Sequence, residues 1–168
     1  NILQCRALYK ITSMKSHLGQ FAEVETEGDF VLQNPRLLKV RLSLGEIRAK
    51  KGSMVAYQGE VKFEHSGSGM GRMLKKMTTG EGTSLMKMNG QGEVFLADSA
   101  QNIQLLYLEN ETITVNSPNL LAFDSDIEWD IKKVSGGAAG MLAGGLFNTS
   151  LSGTGYVAIL SDGEPMLL

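Results

Sequence analysis

A chain of 168 residues with 42% hydrophobic residues, 16 Lys plus Arg and 18 Asp plus Glu has a formal net charge of -2 and reads as one soluble globular domain over residues 1–168. That balance excludes a global field that would draw in DNA or anionic lipid. The single Cys5 excludes an internal disulfide, so a reducing compartment is the simplest setting.

The first ten residues contain Arg6 and Lys10 and no long apolar run, so no secretory signal is expected there, although the chain starts without Met. Leu37 to Leu44 is the first short run rich in Leu and β-branched residues and predicts a strand. Val61, Phe63 and His65 then alternate with Glu60, Lys62 and Glu64, a period of two that sends one face inward. Met70, Met73, Leu74 and Met77 fall at helical spacing, with Arg72, Lys75 and Lys76 on the other side. Gly69, Gly71 and Gly80 bound or interrupt this segment, so at most one short helix is expected. Further strands are predicted at Glu93 to Ala97, Ile103 to Leu108 and Tyr156 to Leu160. Between them Ile127, Trp129 and Ile131 alternate with Asp126, Glu128, Asp130 and Lys132. The most apolar stretch, Gly136 to Phe147, holds five glycines in twelve residues and is too short to span a bilayer, which takes about twenty apolar residues.

The chain also matches itself. At an offset of 66, Gly45 to Phe63 aligns with Glu111 to Trp129, pairing Ile47 with Ile113, Ala49 with Val115, Met54 and Val55 with Leu120 and Leu121, Tyr57 with Phe123, and Phe63 with Trp129. After a linker three residues shorter, Gly90-Gln91-Gly92-Glu93-Val94 aligns with Gly153-Thr154-Gly155-Tyr156-Val157 at an offset of 63. Apolar residues meet at nearly every core-type position, and each Gly-x-Gly reads as a turn before a strand. Two repeats, about 45–108 and 111–168, stacked around a shared core are the expected all-β architecture. The second repeat stops at Leu168, level with Leu105 in the first, so either the sequence ends early or an edge strand is left short, and an open edge would invite a homo-oligomer.

Reactive chemistry finds little footing. His17 and His65 are the only histidines, so no three-histidine metal site forms within one chain. Asp124, Asp126, Glu128 and Asp130 would share one face of an extended strand, but Trp129 stands where a calcium loop needs its turn glycine. No Gly-x-Ser-x-Gly elbow is present, and Ser66-Gly67-Ser68-Gly69-Met70-Gly71-Arg72 lacks the last glycine of a dinucleotide fingerprint. No catalytic, metal or cofactor residue is therefore assigned. Two concentrations of cations, Arg36 to Lys51 and then Arg72, Lys75 and Lys76, have no interleaved aromatic residues, which argues against nucleic acid. Arg72, Lys75 and Lys76 are the candidate anion or partner contacts. Met141, Leu142, Leu146 and Phe147, beside Lys132 and Lys133, are the candidate apolar contacts with a partner or a membrane surface.

The blocks Gly52-Ser53-Met54-Val55-Ala56-Tyr57-Gln58-Gly59, Gly71-Arg72-Met73-Leu74-Lys75-Lys76, Gly80-Glu81-Gly82, Gly92-Glu93-Val94-Phe95-Leu96-Ala97 and Gly144-Gly145-Leu146-Phe147-Asn148, taken in order, closely resemble the altered-inheritance-of-mitochondria (AIM) family. The resemblance runs from about Leu42 to Leu160. It implies a double-stranded β-helix or β-sandwich fold like that of the tryptophan RNA-binding attenuation protein, and it transfers no catalytic residues. Fungal relatives are linked to inner-membrane organisation, which implies a non-enzymatic, self-associating scaffold or protein-interaction domain in a bacterial cytoplasm or peripheral to a membrane, and mitochondrial in a eukaryote. The ring-forming fold relative supplies the alternative, an RNA- or other anion-binding β-domain.

Overall fold

A computed structural model describes residues 22–25, 27–65, 85–133 and 147–164. Among them the chain is all-β, with eight strands and one 3-10 turn: β1 (Phe30–Asn34), β2 (Leu37–Lys50), β3 (Met54–His65), β4 (Leu85–Leu96), β5 (Asn102–Asn116), the turn Ser117–Asn119, β6 (Leu120–Asp124), β7 (Glu128–Lys133) and β8 (Phe147–Ser161). Every pairing is antiparallel. The order β3-β4-β2-β6-β8-β5 makes one curled sheet, with β1 added to β2 and β7 added to β8. The expected short helix at Met70 to Met77 lies outside the described residues.

Two units of the sheet share one plan of pairing. In the first, β4 pairs with both β2 and β3. In the second, β8 pairs with β5 on one side and with β6 and β7 on the other. The registers coincide residue by residue. Ile47↔Met88, Ala49↔Met86 and Val40↔Val94 have as counterparts, 66 and 63 residues on, Ile113↔Leu151, Val115↔Thr149 and Leu106↔Val157. Tyr57↔Val94 and Phe63↔Met88 likewise correspond to Phe123↔Val157 and Trp129↔Leu151. Even the irregularities match, at Met54/Ala56 and Leu120/Ala122.

The units join where β2 meets β6, through Ile47↔Asp124, Arg48↔Phe123 and Ala49↔Ala122. At this seam Leu120, Leu121, Ala122 and Phe123 are all fully buried, because β6 has an apolar layer on each face. Leu121 and Ala122 pack with Leu38, Val40, Ile47, Val94 and Leu96. Leu120 and Phe123 pack with Leu108, Ile127, Leu151 and Val157. A strand buried on both sides is a continuous hydrophobic run rather than an alternating one, which is why Leu120-Leu121-Ala122-Phe123 carries no polar position.

Two sequence expectations change. Gly90-Gln91-Gly92 and Gly153-Thr154-Gly155 lie inside β4 and β8, not in turns. Their glycines mark places where a neighbouring backbone crosses closely: at Gly90 (φ +126°) a Cβ would sit 2.1 Å from the Glu60 carbonyl oxygen. The carboxylates from Asp124 to Asp130 do not share one strand, since the chain turns at 125–127 between β6 and β7. The Ile127 N–H donates to the Asp124 carbonyl at 3.2 Å to close that turn.

Candidate functional site

The ends of the strand order are β3 and β5. Each is paired along one side only among the described residues, and each carries apolar side chains into solvent: Val55 and Tyr57 are 64% and 51% exposed, and Leu106 and Tyr107 are 37% and 52% exposed. An unpaired edge presents a row of free N–H and C=O groups that templates pairing with another strand. The aromatic residues here are held rather than loose. Tyr57 packs edge-on against Phe63 at 5.1 Å, Tyr107 edge-on against Tyr156 at 4.9 Å, and Tyr156 stacks on Phe30 at 5.2 Å.

Beside Tyr107 opens a shallow cleft of about 550 Å³ lined by Asp29, Tyr107, Asp124, Asp126, Thr154, Gly155 and Tyr156. Asp124 ends β6 there. Its Oδ2 accepts the Tyr156 N–H at 2.6 Å, so the carboxylate substitutes for a carbonyl in the β6–β8 ladder. Burial pushes the Asp124 carboxyl above its ordinary value, against the lowering effect of that hydrogen bond, and Asp29 and Asp126 add to the rise. Three carboxyls and two phenols line this wall, with no thiol, imidazole or amine among them, and no described group of three or more His, Cys, Asp or Glu is spaced to hold a metal ion.

Of the ten described lysines and arginines, Lys39, Arg41, Arg48, Lys50 and Lys87 lie within ion-pair distance of carboxylates. Lys39, only 2% exposed, lies 2.6 Å from Glu23 and 3.6 Å from Glu93, and Gln58 Nε2 also donates to Glu93. Lys87 pairs with Glu46 at 2.6 Å, whose hydrogen bond raises the Lys87 pKa. Lys50 pairs with Asp98 at 2.5 Å and donates to the Pro118 carbonyl at 2.8 Å. Lys39 belongs to the Arg36 to Lys51 run of the sequence, but it is buried inside the protein.

Arg72, Lys75 and Lys76 lie outside the described residues, as do Met141, Leu142 and Leu146. Phe147 is described, and it is buried at the start of β8, turned into the protein rather than offered to a partner. The edge residues Val55 and Tyr57 look like core positions in sequence because their counterparts Leu121 and Phe123 are core. Nothing local distinguishes the two pairs. The signal lies in topology, since β6 has β2 beside it and β3 does not.

Among the described residues no helix is long and apolar enough to cross a membrane. No curated protein is detectably similar in sequence. A crystal structure of a Streptococcus pyogenes protein from a structural genomics programme superimposes with a TM-score of 0.62 at 24% identity, covering 80% of this chain and 63% of that one. The chain thus spans less than two thirds of that relative's length, and the likeness is one of fold. Residues 30–168, all of β1 to β8, match the family described as mitochondrial biogenesis AIM24, and the chain belongs to that family.

Proposed function

We propose that this protein is a non-enzymatic interaction module that self-associates through the edges of its sheet and serves as a scaffold. The observation that carries the reading is the pair of outer strands, β3 and β5, each with one edge that no described strand pairs, displaying Val55, Tyr57, Leu106 and Tyr107 while most other large apolar side chains among the described residues are withdrawn. Long, apolar, exposed edges are a hazard unless a partner covers them. In the nearby cleft the carboxyl with a shifted pKa, Asp124, is engaged with the Tyr156 backbone N–H rather than held free for a substrate. A family described by mitochondrial biogenesis is consistent with an organising role, including one at a membrane surface.

Light scattering after size exclusion tests this directly. The wild type is expected to elute with a mass above that of one chain, and Val55→Lys with Tyr57→Lys is expected to return it to one chain, since edge lysines oppose strand pairing. A wild type of single-chain mass throughout the micromolar range ends the proposal. Flotation with vesicles of phosphatidylcholine and cardiolipin tests the membrane component separately; failure to float removes that component alone.

A further inference from the structure

We propose that the cleft beside Tyr107 binds a linear aliphatic polyamine, with Asp29, Asp124 and Asp126 facing its separated ammonium groups and the rings of Tyr107 and Tyr156 facing its chain. Self-association is not needed for this, since the cleft lies within one chain. The two units of the sheet differ in charge at this place. In the first, Arg41, Glu93 and Gln58 stand side by side on β2, β4 and β3. In the second, the same register sets Tyr107 opposite Tyr156 on β5 and β8, and Asp124 of β6 accepts the Tyr156 N–H. The first set is balanced from within: Lys39 Nζ lies 3.6 Å and Arg41 Nε 3.8 Å from Glu93 Oε1, and Gln58 donates to the same carboxylate. In the second, Leu105 and Tyr107 stand where Lys39 and Arg41 stand in the first, whereas Asp124 replaces Gln58 and Asp126 replaces Glu60. The cations are gone and the carboxyls remain. Asp29 adds another, fixed at the cleft because the Arg41 N–H donates to its carbonyl at 2.7 Å.

Among the described residues no lysine or arginine lies within ion-pair distance of these three carboxyls. Asp29 and Asp126 are exposed. Burial first, and then the charges of Asp29 and Asp126, push the Asp124 carboxyl up against the Tyr156 N–H, a mutual repulsion that a bound cation relieves. A single inorganic ion does not match the arrangement, because no described group of three carboxyls is spaced to hold one. Positive charges spread along a chain do match it. The rings supply the rest of the recognition. Tyr107 and Tyr156 meet at 65° with centroids 4.9 Å apart, and Phe30 stacks on Tyr156 at 5.2 Å and fixes that ring. Aromatic faces attract ammonium groups, and methylene stems lie against apolar surface while their charged ends stay polar. The cleft, about 550 Å³, falls within the usual span of small-molecule sites, about 300–1,000 Å³.

Equilibrium dialysis against radiolabelled spermidine tests the site, in about 0.15 M NaCl so that attraction beyond about 8 Å is screened. The wild type is expected to bind it saturably. Asp29→Asn with Asp126→Asn should weaken binding by at least about tenfold. Tyr107→Leu, which keeps apolar bulk and removes the ring, should weaken it by about threefold. Glu60→Gln, at the counterpart of Asp126 in the first unit, should leave it unchanged. All four positions are exposed, and circular dichroism with urea unfolding checks that each variant keeps the fold. Absence of saturable binding by the wild type up to about 1 mM spermidine overturns the proposal. So does an equal loss in Glu60→Gln, or displacement by magnesium chloride as effective as that by unlabelled spermidine, because either result reduces the cleft to a diffuse negative surface. Unchanged binding in Tyr107→Leu overturns it as well, since charge without the rings selects no aliphatic chain.

Discussion

Tyr57 and Phe123 occupy the same place in the two units. Each pairs with a valine of the return strand, Val94 or Val157, and each meets an aromatic ring six residues on, Phe63 at 5.1 Å or Trp129 at 6.3 Å, in an edge-on arrangement. Yet Phe123 is fully buried and Tyr57 stands half in solvent. The hairpins themselves are equivalent, so burial at this position is decided by what lies across the next edge. Beyond its return strand Phe123 has β2 on the other side, and Tyr57 has no described strand on the other side. The same apolar pattern therefore occurs in both units, and among the described residues a second partner strand lies beside it only in the second.

The largest effect that separates the units is expected at this pair. Phe123→Ala removes a fully buried ring shared by β6, β7 and β8 and should lower stability by about 3–5 kcal/mol. Tyr57→Ala, at an exposed position, should cost no more than about 0.5–1 kcal/mol at concentrations where the protein is a single chain. Urea unfolding of both variants checks this. Losses of similar size would mean that Tyr57 is already covered in the single chain, and the contrast between the units would collapse.

The crossing glycines give the next contrast. At Gly90 a Cβ would lie 2.1 Å from the Glu60 carbonyl oxygen, whereas at Gly153 the corresponding approach, to the Asp126 carbonyl oxygen, is 3.4 Å. The two share a positive φ, +126° and +135°, so they share the conformational cost of a side chain, and only Gly90 adds a clash with main chain that cannot step aside. Gly153→Ala should cost about 1–3 kcal/mol from backbone strain alone, and Gly90→Ala should exceed it by about 1–2 kcal/mol or more. The difference arises because β3 continues unbroken past Gly59, while β6 and β7 part at 125–127 and relieve the crossing in the second unit.

A smaller effect is expected at the 3-10 turn that opens the second hairpin. Ser117 and Thr149 are buried and share a hydroxyl hydrogen bond of 2.8 Å; their counterparts are the exposed Lys51 and the buried Met86. Ser117→Ala leaves the Thr149 hydroxyl without that partner in a dry site, for about 1–3 kcal/mol. Thr149→Val together with Ser117→Ala should recover much of the loss, since removing both polar groups leaves no orphan. A double variant as weak as the single one would show that packing, not the hydroxyl pair, holds the turn.

The sequence makes the units legible because strand alternation and burial leave the same marks twice. Ile47 and Ile113, or Phe63 and Trp129, align without reference to any structure. The strands themselves run longer than the runs that reveal them, because β2, β4, β5 and β8 continue through polar or glycine-containing stretches such as Asn89 to Glu93, where pairing on both sides holds the chain extended. The Gly-x-Gly segments mislead for the same reason: positive φ is the usual mark of a turn, and here it serves strand crossing. Lys39 is hidden from sequence reasoning because its burial depends on Glu23 and Glu93 arriving from remote positions. Exposure of Val55 and Tyr57 is likewise a property of strand order, which pairwise apolar patterning does not encode.

The finest contrast is electrostatic and concerns two aspartates with opposite shifts. Asp98, in the turn between the units, is held below its ordinary 3.8 chiefly by the hydrogen bond from Lys50 and then by that from Ser99, with burial opposing. Folding favours its ionised form, so Asp98 contributes stability above pH 3.8 that is lost as pH falls through the lower folded value. Asp124 is raised above 3.8, chiefly by burial. Folding favours its protonated form, so that contribution is complete below pH 3.8 and is lost as pH rises through the higher folded value. The first unit has the uncharged Gln58 at this position and no such dependence. Relative to Asp98→Asn, the wild type should therefore lose its advantage on acidification, and relative to Asp124→Asn it should gain. Urea midpoints measured from about pH 2.5 to pH 7 separate the two, because each difference curve follows the native-minus-unfolded protonation of a single group. If the Asp124→Asn difference curve slopes the same way as that of Asp98→Asn, the Tyr156 N–H outweighs burial at this carboxyl, and the β6–β8 ladder at the cleft is held by an ion rather than weakened by one.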